Sequence, residues 1–230
     1  MINIESISKK YAHACALNCV MLNVPAGKIY ALFGPNGAGK TTALKIMSGL
    51  MEPDSGDVKI CGKSIISDPV NAKFDIGFLA DQNVLFDYMS GTDYLNFTMD
   101  IFKIPESRRN ESFETYLDAF EMRHAANDFI FNYTFEMKRK FSLIAALSHK
   151  PKVLLLDEPA SGMDQISIGQ LKKVIRDYAA KGNAVLFSTN TVEIAANLCD
   201  IAAVISGGNI IECLSPEELR KKFGERESGI

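Results

Sequence analysis

The chain has 230 residues, 47% hydrophobic and 23% charged, the proportions of an ordinary folded domain with room for one large core and an attached subdomain. A net charge of −3 gives no electrostatic case for nucleic acid as a partner. No apolar run of about 18 residues occurs and the first residues (MINIESISKKY) lack a leader's apolar stretch, so the expectation is a cytosolic chain that reaches a membrane only through a partner.

The first 80 residues read as short β-runs: INIESIS, IYALF, VKICG and IGFLA. Turn signals at Pro25-Ala26-Gly27 and Pro53-Asp54-Ser55-Gly56 separate them. After IYALF comes GPNGAGKTT, residues 34–42, and then TALKIMSGL as a helix. From about 92 to 149 the apolar spacing turns helical, in DYLNFTMDIF, ESFETYLDAFEM and EMKRKFSLIAALSHK. VLLLD then returns as a buried strand, ISIGQLKKVIRDYAAK as a helix, AVLFS as a strand and TVEIAANLC as a helix. IAAVIS-GGN-IIEC reads as a hairpin around Gly207-Gly208. Ser215-Pro216-Glu217-Glu218 opens a last helix with a capping box. Strand–helix alternation with near-continuous apolar strands predicts a mainly parallel sheet covered on both faces, with an all-helical insert between its halves.

Residues 34–42 satisfy G-x-x-x-x-G-K-[ST] in the strand–loop–helix setting that the motif needs. Gly34, Gly37 and Gly39, with Pro35, Asn36 and Ala38 between them, let backbone N–H groups turn inward on an anion at a helix N-terminus. Lys40 reaches toward β- and γ-phosphates, Thr41 offers a hydroxyl to Mg²⁺, and Thr42 completes the loop. In VLLLDEP, Asp157 ends a buried strand as a Mg²⁺ ligand, directly or through water, and Glu158 polarises the attacking water. The five cysteines form no CxxC pair and read as free thiols. His13, His124 and His149 are scattered without a carboxylate cluster and imply no metal site.

Together these residues resemble the ATP-binding subunits of ABC transporters over nearly the whole chain. SGMD and the single short domain are most similar to subunits of ABC-2-type exporters for drugs, peptide antibiotics or lipids. The resemblance implies an α/β P-loop NTPase fold, an ABC-type ATPase domain over residues 1–230. Its parts would be a mainly parallel core sheet, an antiparallel β subdomain and a helical subdomain at about 85–150. It implies ATP and Mg²⁺ as cofactors, with hydrolysis driving export through a separate permease that the helical subdomain touches. The location implied is cytoplasmic, on the inner face of the cell membrane. Tyr11 would stack on adenine. IGFLADQN, 76–83, resembles the Q-loop segment. Gln82 is read there as the residue meeting Mg²⁺ and the attacking water, with Asp81, which a family-like alignment puts at the key position, as the alternative. ASGMD, 160–164, resembles the D-loop, with Asp164 beside the nucleotide. Two such domains, as a homodimer or a heterodimer, would close head to tail around two ATP molecules.

Two departures from the family pattern stand out. The signature position, usually LSGGQ or something like YSKGM, holds Tyr133-Thr134-Phe135-Glu136-Met137. Thr134 still supplies a hydroxyl, but Glu136 replaces a glycine. A carboxylate roughly 6 Å from a γ-phosphate costs on the order of 3 kcal/mol per unit of phosphate charge at an effective dielectric near 20. Lys140, four residues on, is placed to neutralise much of it. The bland alternative is a Glu136 pointing into solvent. In the switch loop FSTN, 187–190, Asn190 stands where the family usually has a histidine, and an amide carries no titratable proton. The expectation is binding that survives better than turnover. An ATP-gated clamp with little turnover and a soluble non-transport ABC ATPase are the alternatives.

Overall fold

The computed structural model describes residues 1–12, 14–82 and 85–224, with the side chains of Asn110 and Ser112 set aside. The readings of His13 and Asn83 lie outside the described residues. The chain opens with β1 (Ile2–Tyr11), β2 (Ala14–Val24), β3 (Ile29–Phe33) and α1 (Lys40–Met47). Next come β4 (Ser55–Ile60), β5 (Lys63–Ser64), α2 (Pro69–Phe74) and β6 (Ile76–Leu79). Three helices follow without a strand: α3 (Gly91–Ile101), α4 (Glu106–Ala119) and α5 (Phe135–Ser148). The last third alternates β7 (Val153–Leu156), α6 (Gln165–Ala180), β8 (Ala184–Thr189), α7 (Val192–Leu198), β9 (Ile201–Ser206), β10 (Asn209–Leu214) and α8 (Pro216–Phe223).

Two sheets result. The larger has the order β10-β9-β3-β8-β7-β6, parallel except for β10 on its edge; the smaller is antiparallel, in the order β2-β1-β4-β5. Every residue of β7 is buried, and its period of two explains why. Val153 and Leu155 pack into the core shared with β1, β2, β4 and α1. Leu154 and Leu156 pack into the core shared with α5, α6 and α7. A strand apolar on both faces needs cover on both, and α1 lies on the side where the small sheet closes over it.

The strand β2 escaped the pattern reading. Its buried residues are Leu17, Val20, Leu22 and Val24, and the step of three at its start breaks the alternation. The cause is a bulge: Cys19 takes φ +48, its N–H donates to Ser8 Oγ at 2.9 Å, and the pairing with β1 shifts register nearby. The short α2 escaped as well. The hairpin and the last cap stand where the sequence puts them: Gly207 and Gly208 both have positive φ, and Ser215 and Glu218 form the reciprocal capping box. In the helical insert Met99, Phe113 and Phe120 are core, whereas Phe97 is exposed.

Candidate active site

The loop between β3 and α1 is shaped by close approach. Gly39 caps α1 with φ +106, and a Cβ on it would lie 2.4 Å from Ala16 O. At Gly34 a Cβ would meet Ile205 O at 2.1 Å. Backbone bonds fix the loop to the sheet: Gly34 N–H donates to Thr189 O at 3.2 Å, and Gly208 N–H to Ala38 O at 3.1 Å. Lys40 is only 6% exposed. Its ammonium donates to Gly34 O at 2.7 Å and to Pro35 O at 3.1 Å, and lies 3.7 Å from Glu158 Oε1. These residues surround a cavity of about 240 Å³ lined by Ala16, Asn36, Gly37, Gly39, Lys40, Thr41, Thr42, Asp81 and Glu158. A glycine cradle at a helix N-terminus with a lysine inside is chemistry for a polyphosphate.

On the opposite wall, the segment that follows β7 places Glu158 in the cavity lining, with Asp157 next to it in the chain but outside that lining. Asp157 is buried, and Ser188 Oγ donates to its Oδ1 at 2.6 Å. Glu158 takes φ +47; its N–H donates to Ser188 Oγ at 2.9 Å, and its carbonyl accepts from Arg139 at 2.7 Å. Burial pushes the Glu158 carboxyl above its ordinary range, with Lys40 pulling the other way and Asp157 adding to the rise. Arg139 and Ser188 were not singled out from the sequence. The available signals were an arginine between two lysines at the point where a helix turns apolar, and a serine at the end of a buried strand.

Of the other sequence-predicted residues, Asn190 joins the phosphate loop: its Nδ2 donates to Asn36 Oδ1 at 3.0 Å, and Thr191 Oγ1 donates to Asn190 Oδ1 at 3.2 Å. Asp81, not Gln82, lines the cavity. Gln82 lines the neighbouring groove of about 480 Å³ with Phe78, Tyr94, Phe102 and His149. The two side chains part here because β6 ends at Leu79 and the chain then turns along α5. Tyr11 ends β1 outside the cavity lining, half exposed, with its hydroxyl donating to Met51 Sδ at 2.9 Å.

Thr134 and Asp164 also lie away from the cavity. Each caps a helix: Thr134 Oγ1 accepts from Met137 N–H at 3.2 Å, and Asp164 Oδ1 from Ser167 N–H at 2.7 Å. Glu136 between them does not point into solvent. Its Oε1 accepts from Ser167 Oγ at 2.5 Å and pairs with Lys140 Nζ at 3.2 Å. The ring of Phe135 lies against Gly162, where a Cβ would come within 2.4 Å of it. The start of α5 is thereby fastened to the start of α6.

Comparison with known proteins gives a consistent picture. The family model described as ABC transporter matches residues 17–161. An uncharacterized ABC transporter ATP-binding protein, YxlF of Bacillus subtilis, is 33% identical over 210 residues, 91% of this chain and 69% of that one. The daunorubicin resistance ATP-binding protein DrrA3 of Streptomyces coeruleorubidus is 28% identical over 223 residues, covering 97% of this chain and 71% of the relative. A solved structure described as an ATP binding subunit of an ABC transporter superposes with a TM-score of 0.89 at 26% identity, over 98% of this chain and 94% of that one.

Proposed function

Since the chain belongs to the ABC transporter family of ATP-binding ATPase domains, we propose that it binds Mg-ATP and hydrolyses it slowly to drive export through a separate membrane permease. The observation that carries this reading is one cavity walled on one side by Gly37, Gly39, Lys40 and Thr41 and on the other by Glu158. In it, the phosphate-loop N–H groups and Lys40 hold the phosphates. Lys40 exchanges its present carbonyl partners, Gly34 and Pro35, for phosphate oxygens. Thr41 and Asp157 would hold Mg²⁺, which would supply neutralisation of the phosphate charge. Glu158 accepts a hydrogen bond from the attacking water, and Asn190, already against Asn36, donates to the γ-phosphate. Asp81 faces that water from the cavity wall; Gln82 reaches the metal only if its segment moves. Tyr11 offers its ring to adenine.

Thr134 and Asp164 face a second ATP-binding domain, in a homodimer or a heterodimer, whose nucleotide they touch. We treat residues 1–230 as one domain, with a helical subdomain at about 85–150. The groove beside Gln82, between β6, α3 and α5, is the surface we assign to the permease. No helix among the described residues is long and apolar enough to cross a membrane. The location proposed is the cytoplasmic face of the cell membrane. Asn190 and the fastened Glu136 favour a second reading, an ATP-gated module that closes on nucleotide and seldom cleaves it.

Equilibrium titration with a fluorescent ATP analogue tests the site. Lys40→Met is expected to weaken binding at least tenfold while the protein stays folded. Equal affinity in the two proteins would remove the phosphate loop from the site.

A further inference from the structure

One turn into α5 the sequence sets an arginine, and the fold buries it completely: Arg139 is 0% exposed. Its Nη1 donates to Ala80 O at 2.5 Å and to Asp81 O at 2.9 Å; its Nη2 donates to Glu158 O at 2.7 Å and to Asp157 O. A guanidinium is the one side chain with five donors in a fixed plane, and here it ties together the segments that follow two adjacent strands, β6 and β7. Burying a charge is costly, and an aliphatic side chain would fill the same space.

What it holds gives the cost a purpose. Glu158 sits at φ +47, a backbone conformation that a residue with a Cβ leaves unless its surroundings over-determine it. Ser188 Oγ holds its N–H and donates to the Asp157 carboxylate; Arg139 holds its carbonyl and the preceding one. The same guanidinium holds Asp81, the acidic residue on the adjoining wall of the cavity.

We propose that Arg139 is a positioning residue for ATP hydrolysis: by clamping the carbonyls of Ala80, Asp81, Asp157 and Glu158 it aims the Glu158 and Asp81 carboxylates into the phosphate cavity. The proposal rests on the ATPase reading above. All four acceptors lie outside the phosphate loop, so the clamp acts on the hydrolytic wall and leaves the binding wall to itself. Because α5 is capped by Thr134, in the loop assigned to the second domain, movement of that helix end reaches the first domain's own carboxylates through Arg139.

The test uses the full chain with Arg139→Gln and Arg139→Lys, reading kcat, ATP affinity, Tm and amide exchange at residues 81, 82, 157 and 158. Arg139→Gln is expected to lower kcat at least tenfold, leave ATP affinity within twofold, and speed exchange at those four amides. Arg139→Lys, which keeps the charge but loses the planar fork, is expected to fall between. A wild-type kcat in either folded variant overturns the proposal. So does a parallel loss of affinity, Tm and kcat, which marks an ordinary core brace. Should Arg139→Gln fail to fold, Arg139→Lys carries the test. If the wild type shows no turnover, the ATPase reading falls; unchanged exchange at the four amides then overturns the clamp separately.

Discussion

Gly39 is held to glycine by two independent constraints, the +106° backbone and the Ala16 carbonyl where a Cβ would go. Gly39→Ala has no side chain to rotate out of the way, so either the loop or β2 must shift. ATP affinity is expected to fall at least tenfold in equilibrium binding while the sheet persists by circular dichroism; wild-type affinity would show that the loop re-forms around a methyl group. Glu136 teaches a different lesson about single residues. Read from sequence, it is a charge facing the partner's phosphate at a cost on the order of 3 kcal/mol. In the fold its carboxylate is engaged by Ser167 and Lys140, so the direct charge term shrinks. What remains is bulk: Phe135 on Gly162 and a helix start bound to its neighbour, where the family's glycines leave the backbone open to an anion.

Elements show where pattern reading succeeds and where it stops. Helix α8 was legible because its cap, proline and closing glutamate are local, within four residues of one another. The phosphate loop was legible for the same reason. Strand β2 was not, since the bulge at Cys19 moves its apolar residues off a period of two, and nothing in the sequence announces a bulge. The Arg139 clamp was illegible because its acceptors are carbonyls 18 to 59 residues away, and carbonyls have no letter in a sequence. The division of Asp81 and Gln82 between two cavities likewise depends on a turn, not on residue type.

At the end of α5, His149 stacks on Phe102 with ring centroids 3.6 Å apart and contacts Ile76 O through Nε2 at 2.9 Å. Burial pulls its pKa from 6.5 down to about 4. The folded pKa lies below the unfolded one, so as pH falls the unfolded chain takes the proton first. The stability His149 contributes is therefore full above pH 6.5 and lost between about 6.5 and 4, by on the order of 3 kcal/mol. Tm is expected to fall more steeply from pH 7 to pH 4.5 in the wild type than in His149→Gln; parallel slopes would show that the imidazole charges inside the fold at no cost.

For the whole molecule, the two cores set the division of labour. On the proposed reading, α1 and the loop before it carry the wall that binds, while the segment after β7, held by Arg139 of α5 and Ser188 of β8, carries the wall that hydrolyses. One departure, Asn190, bonds Asn36 at the edge of the phosphate loop, the other lies on the surface proposed to face a second domain, and the glycines and Lys40 of the first wall are intact. On the same proposed reading, Asn190 serves its own domain's nucleotide and the Glu136 loop serves the partner's. A homodimer therefore carries both changes at both sites, and a heterodimer with an unaltered partner spreads one to each. The measurement that tests this most directly is steady-state ATP hydrolysis with Mg²⁺, in the wild type and in Glu136→Gly/Asn190→His, beside an ATP-binding titration of each. The expected result is similar affinity in the two proteins, with kcat at least tenfold higher in the double variant. Brisk hydrolysis by the wild type, unchanged by the two substitutions, would contradict it and return the chain to an ordinary transport motor.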